Sequence, residues 1–206
     1  MRTDQHNSER GFTLTELMLV VAIGLIIAGM AMGGIPAMLK VSKADGGLAQ
    51  VAGAMRFARE SSISNRRNVR VTFGTNTITI TRVEYCPSAC TTATASTYPG
   101  CSSTCTSNTT DLRTVTLEGR SEFRLVTGLS DTPDAFGNAS PTSLGSYTPA
   151  MFTTDGSFIN SQGDVLNGSL FIANSTDRNS ARAITIFGPT GAMRLWRWDG
   201  RRWVEV

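Results

Sequence analysis

From Leu17 to Leu39 the chain runs 23 residues without a charged side chain, and Lys40 and Lys43 close the run. As a helix rising 1.5 Å per residue it would be about 35 Å long, enough to cross a hydrocarbon layer of about 30 Å. A secretory signal peptide fits it poorly. The run exceeds the usual apolar core of such peptides, no small-x-small site with a clean break follows, and the preceding residues 1–10 are only weakly basic, with Arg2 and Arg10 set against Asp4 and Glu9. A plain signal anchor accounts for the length but leaves Glu16 unexplained. A carboxylate in such a helix costs roughly 2.5–3.5 kcal/mol at mid-bilayer and less toward the interface, and residues of this kind mark function.

The segment Arg10-Gly11-Phe12-Thr13-Leu14-Thr15-Glu16-Leu17 closely resembles the class III signal of type IV pilins and type II secretion pseudopilins. The shared pattern is a small residue, an aromatic, and a glutamate four residues after the aromatic, opening a long apolar helix. The resemblance implies cleavage by a prepilin peptidase between Gly11 and Phe12 and N-methylation of Phe12, with residues 1–11 as the leader. Cleavage would expose an α-amino group on Phe12, mostly protonated near neutral pH. Positions 12 and 16 lie on one helix face. Glu16 of one subunit can then meet the Phe12 ammonium of its neighbour, which partners a buried carboxylate and sets axial register. Two positions depart from the family pattern: Thr15 stands where Ile or Val is usual, and Gly33 where many members carry proline. Proline comes later, at Pro36 after Gly33-Gly34, which predicts a kink or local melting near 33–36.

The same cut removes His6, the only histidine. A mature chain without imidazole has no histidine general base, no histidine metal ligand and no triad built on one. No GxxxxGK[ST] or GxGxxG stands in the sequence, so those nucleotide-binding loops have no support. The expectation is a structural subunit, not an enzyme, with no catalytic residues, no metal site and no cofactor. Net charge is +3, too small to argue nucleic-acid binding from bulk charge.

Residues 40–64 read as an amphipathic continuation of the helix. Leu48, Val51, Met55 and Ala58 recur at helical spacing and would face a sheet, while Gly46-Gly47 and Gly53 weaken it. Arg56, Arg59, Arg66, Arg67 and Arg70 gather at its end, opposed by Glu60. They read as a solvated helix end or as a contact for the filament or a polyanion. From 68 the period changes to two. Val69, Val71 and Phe73, then Ile78 and Ile80 after Gly74-Thr75-Asn76, predict a β-hairpin. Further strands are expected at 113–118, 122–126, 169–173, 182–187 and 191–198. The fold class is α+β: a long N-terminal helix, its first half (12–39) transmembrane, packed on an antiparallel, β-rich head over 65–206.

A narrower resemblance rests on Ala54-Met55-Arg56-Phe57-Ala58-Arg59-Glu60-Ser61-Ser62 before a strand, and on Phe152-Thr153-Thr154-Asp155-Gly156-Ser157 ahead of Arg182-Ala183-Ile184-Thr185-Ile186. These segments are similar to the GspH/FimT family of minor pseudopilins and minor pilins. The resemblance implies a head in the periplasm, an inner-membrane anchor before assembly, and a place near the tip of a type IV pilus or secretion pseudopilus. Its partners would be the prepilin peptidase, other minor and major pilins or pseudopilins, the inner-membrane assembly platform, and membrane lipid before assembly. Asp155-Gly156 reads as a tight turn needing positive φ.

Two segments stand apart. Residues 86–110 hold all four cysteines, Cys86, Cys90, Cys101 and Cys105, amid Ser and Thr. In an extracytoplasmic head disulfides are expected, with three pairings open. The rival is a four-thiolate zinc site, which the C-x3-C spacing and an oxidising compartment disfavour. At the C-terminus Arg194, Trp196, Arg197, Trp198, Arg201, Arg202 and Trp203 interleave. They read either as a last hairpin, 191–206, turning at Asp199-Gly200 with packed tryptophans, or as a contact for DNA or a filament partner through Arg194, Arg197, Arg201, Arg202 and Trp203. Some FimT proteins bind DNA through an arginine-containing tail during transformation, so the resemblance implies a DNA-binding minor pilin as the alternative function.

Overall fold

The computed structural model describes residues 13–83, 109–145 and 149–206, with residues 30–40 described by their backbone alone. Helix α1 covers Leu14–Asn65. It remains helical through Gly33, Gly34 and Pro36, so the local melting expected there does not occur. One proline removes a single ladder donor, and the turns on either side keep theirs. The chain divides into two compact units, Met1–Leu39 and Lys40–Val206.

In the second unit eleven strands form two antiparallel sheets among the described residues. The first sheet has the order β3 (Thr109–Thr116), β2 (Thr77–Val83), β1 (Val69–Phe73), β6 (Ala150–Phe152), β7 (Phe158–Ile159). The second runs β11 (Trp203–Glu205), β10 (Ala192–Trp198), β9 (Arg182–Phe187), β8 (Gly168–Ala173), β4 (Glu122–Phe123), and β5 (Thr142–Ser143) also pairs β8. The predicted β1–β2 hairpin is present, with Val71 opposite Ile80 and Phe73 opposite Ile78. The strand expected at 113–118 starts earlier, at Thr109, and the one at 122–126 stops at Phe123. Beyond Phe123, Leu125 and Val126 leave the ladder to cover the outer face of the second sheet.

The main core lies between the helix and the inner faces of both sheets. Leu48, Val51, Met55 and Ala58, the stripe read from the sequence, pack there with Val69, Val71, Ile78, Ile80, Leu170, Ile172, Ile184 and Ile186. A second core sits on the outer face of the second sheet, where Val126 and Leu129 cover Phe171, Ala173, Ala183 and the three tryptophans. The helix ends in a Schellman motif: the Arg67 amide donates to Ser62 O at 3.2 Å and the Arg66 amide to Ile63 O at 3.3 Å. Arg66 takes the left-handed position at φ 50°, which glycine usually fills.

Candidate functional site

The first site candidate is the start of α1. Thr13 and Glu16 form a reciprocal cap. The Glu16 amide donates to Thr13 Oγ1 at 3.3 Å, and the Thr13 amide donates to Glu16 Oε2 at 3.1 Å. This is a capping box, which satisfies donors that a helix start otherwise leaves open. The Thr-x-x-Glu spacing that would have found it is plain in the sequence. Glu16 is therefore held at the helix start by its own chain. Gly11 and Phe12, the expected cleavage and methylation residues, lie outside the described residues.

Downstream of Glu16 the helix shows apolar side chains on every side. Leu17, Met18, Leu19, Val20 and Val21 are all exposed, and five consecutive residues at 100° each go round the whole circumference. Among the described residues no helix is long and apolar enough to cross a membrane. The uncharged run has described side chains only over 17–29, about 20 Å of helix. The transmembrane span expected over 12–39 is thus not reproduced within the described residues.

The second candidate is the head surface. Of the helix-end arginines, Arg59 binds two turns at once: its Nε donates to Gly156 O at 3.3 Å and to Thr190 O at 3.1 Å. The Asp155-Gly156 turn has Gly156 at φ 85°, as expected. Asp155 closes it by accepting from the Thr153 hydroxyl and from the Ser157 amide and hydroxyl. Those bonds, Thr153 first, hold its carboxyl below the ordinary value of 3.8. Gly191 fits against this turn because a Cβ there would meet Gly156 O at 2.2 Å. The F-x-x-D-G segment and the β9–β10 turn are thus one structural joint, held by an arginine from the helix.

The C-terminal hairpin forms with Trp198 opposite Trp203. Asp199 accepts from the amides of Arg201 and Arg202, each at 2.8 Å. The Arg202 amide and then the Arg201 amide hold its carboxyl below the ordinary value. All three tryptophans are buried; Trp198 and Trp203 meet edge to face at 5.4 Å, and Trp203 Nε1 donates to Ser130 O. Trp203 is therefore core rather than contact surface. The four arginines do not share one face. Arg194 is on the outer side of β10 with Trp196, whereas Arg197, an odd step away, is on the side facing the helix. Arg194 is ion-paired to Asp134 at 2.7 Å, and Arg202 lies 3.8 Å from Asp199.

Sequence reasoning missed Arg182 and Asp134. Arg182 is fully buried and pairs with Asp45 on the helix. Its only signal was a charge opening a strand otherwise free of charge. Asp134 comes from a loop and joins Arg194 to Thr185, a long-range meeting that no local pattern encodes. Cys86, Cys90, Cys101 and Cys105 lie outside the described residues. Among the described residues no cluster of His, Cys, Asp and Glu could hold a metal.

In comparisons with known proteins, residues 6–32 match the family model of the prokaryotic N-terminal methylation motif. No curated protein and no solved structure matches the chain. The N-terminal segment is thus type IV pilin-like, and it is the type of segment a prepilin peptidase processes.

Proposed function

We propose that this chain is a minor pilin or pseudopilin of the GspH/FimT type, a non-enzymatic subunit assembled into a type IV pilus or a type II secretion pseudopilus near its tip. The observation that carries this reading is the combination at the start of α1. The stretch of α1 that follows Glu16 is free of charge up to Leu39 and, where its side chains are described, apolar on all sides; it directly follows the methylation-motif cleavage pattern. Such a surface needs lipid or other helices around it. In this reading the peptidase cuts between Gly11 and Phe12, and helix 12–39 waits in the inner membrane. Assembly then transfers it into a bundle of like helices beside other pilins or pseudopilins on the assembly platform. Glu16 exchanges part of its cap for the Phe12 ammonium of an adjacent subunit, which fixes register. The head, including disulfides among Cys86, Cys90, Cys101 and Cys105, stays on the periplasmic side.

Mass spectrometry of the protein from cells with active peptidase tests the processing step. The expected N-terminus is methylated Phe12, and an intact Met1 would overturn it. Glu16→Ala tests assembly: the variant is expected to be made and cleaved but to fall out of sheared fibres, whereas undiminished incorporation would refute the pairing.

A further inference from the structure

We infer that the outer face of the second sheet carries a docking cleft for a protein segment that presents an aromatic side chain beside a carboxylate. This inference stands on the head alone and is independent of the assembly role of the helix.

The cleft, about 340 Å³, is lined by Asp134, Phe136, Thr185, Phe187, Ala192 and Arg194. It opens where the second core stops. The segment around Val126 and Leu129 covers Phe171, Ala183 and Trp196 but leaves the β9–β10 end of the sheet bare. Phe187 is 46% exposed there. An aromatic ring presented at a cleft mouth, with a second ring from Phe136 beside it, favours another flat apolar group by offset or edge contact.

The polar atoms decide what accompanies that group. Asp134 has both oxygens engaged: Oδ1 accepts from Arg194 at 2.7 Å and Oδ2 from the Thr185 hydroxyl at 2.5 Å. Thr185 in turn accepts from Trp196 Nε1 at 2.9 Å. The carboxylate is only 14% exposed, whereas the Arg194 side chain is 60% exposed. A guanidinium has five N–H donors, and one of them meets Asp134. What the cleft still offers is therefore donors and aromatic faces, without a free carboxylate. Its complement is an acceptor, and a carboxylate suits a guanidinium best. Because Asp134 holds Arg194 in place, less side-chain freedom is lost on binding. Single-stranded nucleic acid also combines rings with anions, but it is bound by several cations along a groove. Among the described residues that line the cleft, Arg194 is the one cation; Arg197 faces the other way, and Arg201 and Arg202 belong to the opposite end of β10.

The test is amide NMR on the full chain in detergent micelles, with four probes: acetyl-Glu-Phe-Glu-amide, acetyl-Lys-Phe-Lys-amide, acetyl-Glu-Ala-Glu-amide and a short oligothymidylate. The expected result is a saturable shift of the Phe136, Phe187 and Arg194 amides with the first probe, about tenfold weaker with the second, and absent with the third. No shift, an equal response to the lysine probe, or stronger binding of oligothymidylate would overturn the proposal. Arg194→Gln is expected to erase the preference for glutamate over lysine, and Phe187→Ser to remove binding of both. Unchanged tryptophan emission reports that the neighbouring core is intact. Retention of the preference in the Arg194 variant would also refute the assignment.

Discussion

Arg182 on β9 places its Nε 2.7 Å from Asp45 Oδ1 on α1. The two residues are 137 apart in the chain. Arg182 is fully buried, while the Asp45 side chain is 43% exposed. The guanidinium is further satisfied by the carbonyls of Asn179 and Ala181 at 2.9 and 2.8 Å. A charge inside the head is thus tolerated because each side of its fork meets oxygen. The pair ties the second sheet to the helix at one register.

Breaking this pair from either side is expected to have unequal effects. Asp45→Ala leaves the fully buried Arg182 charge with neutral carbonyls alone, so about 3–5 kcal/mol is expected. Arg182→Ala removes that charge, leaves the half-exposed Asp45 to water and strands the carbonyls, so about 1–3 kcal/mol is expected. Urea unfolding of both variants in micelles measures the difference, and a cheaper Asp45→Ala would show that the carbonyls alone compensate the guanidinium.

Adjacent glycines in α1 should respond in opposite directions. A Cβ on Gly46 meets nothing within 4 Å, whereas one on Gly47 would lie 2.6 Å from Ser121 Oγ. Gly46→Ala should therefore stabilise the head by about 1 kcal/mol through helix propensity. Gly47→Ala should destabilise it by about 1–3 kcal/mol, because Ser121 must move. Thermal melts of the two variants side by side read this directly.

The helix C-terminus leaves room for improvement. Arg66 occupies the left-handed position of the Schellman motif at φ 50°, where a side chain is strained. Arg66→Gly is expected to raise stability by about 0.5–1 kcal/mol, seen as a higher denaturant midpoint at unchanged slope. A lower midpoint would mean that the arginine side chain contributes more than its backbone costs.

Acid should open the last hairpin first. The Arg202 and Arg201 amides hold the folded Asp199 carboxyl below its ordinary value of 3.8. Its contribution is full above that unfolded value and fades as pH falls below 3.8 through the folded one. The protection of the Arg201, Arg202 and Trp203 amides against exchange, relative to the unfolded chain at the same pH, is expected to fall as pH drops below 3.8. Asp199→Asn, which keeps a side-chain oxygen to accept both amides, should flatten that profile. An unchanged pH dependence in the variant would assign the effect to another group, Asp155 being the next candidate.

Whatever rests on local repetition was legible without coordinates. The buried face of α1 from Leu48 to Ala58, the β1–β2 hairpin and the Asp199-Gly200 turn follow from periods of 3.6 and 2 and from turn chemistry. The processing motif was legible because a peptidase must recognise it in a linear segment. Less legible were β5, β6 and β7, since two or three residues hold no period and exist as strands only because a neighbouring ladder accepts their hydrogen bonds.

The chain's own order of residues determined a charge-free run with one glutamate at its head, a helix, alternating strands and an aromatic-rich final hairpin, because each of these arises among near neighbours. Tertiary structure alone decided what the arginines do. Arg59 became a joint between two turns, Arg182 a buried tie to the helix, Arg194 an anchored donor over an aromatic cleft, and Arg197 its opposite across the strand. A guanidinium takes its role from the oxygens that folding brings within 3 Å, and those oxygens come from loops and strands far away in the chain.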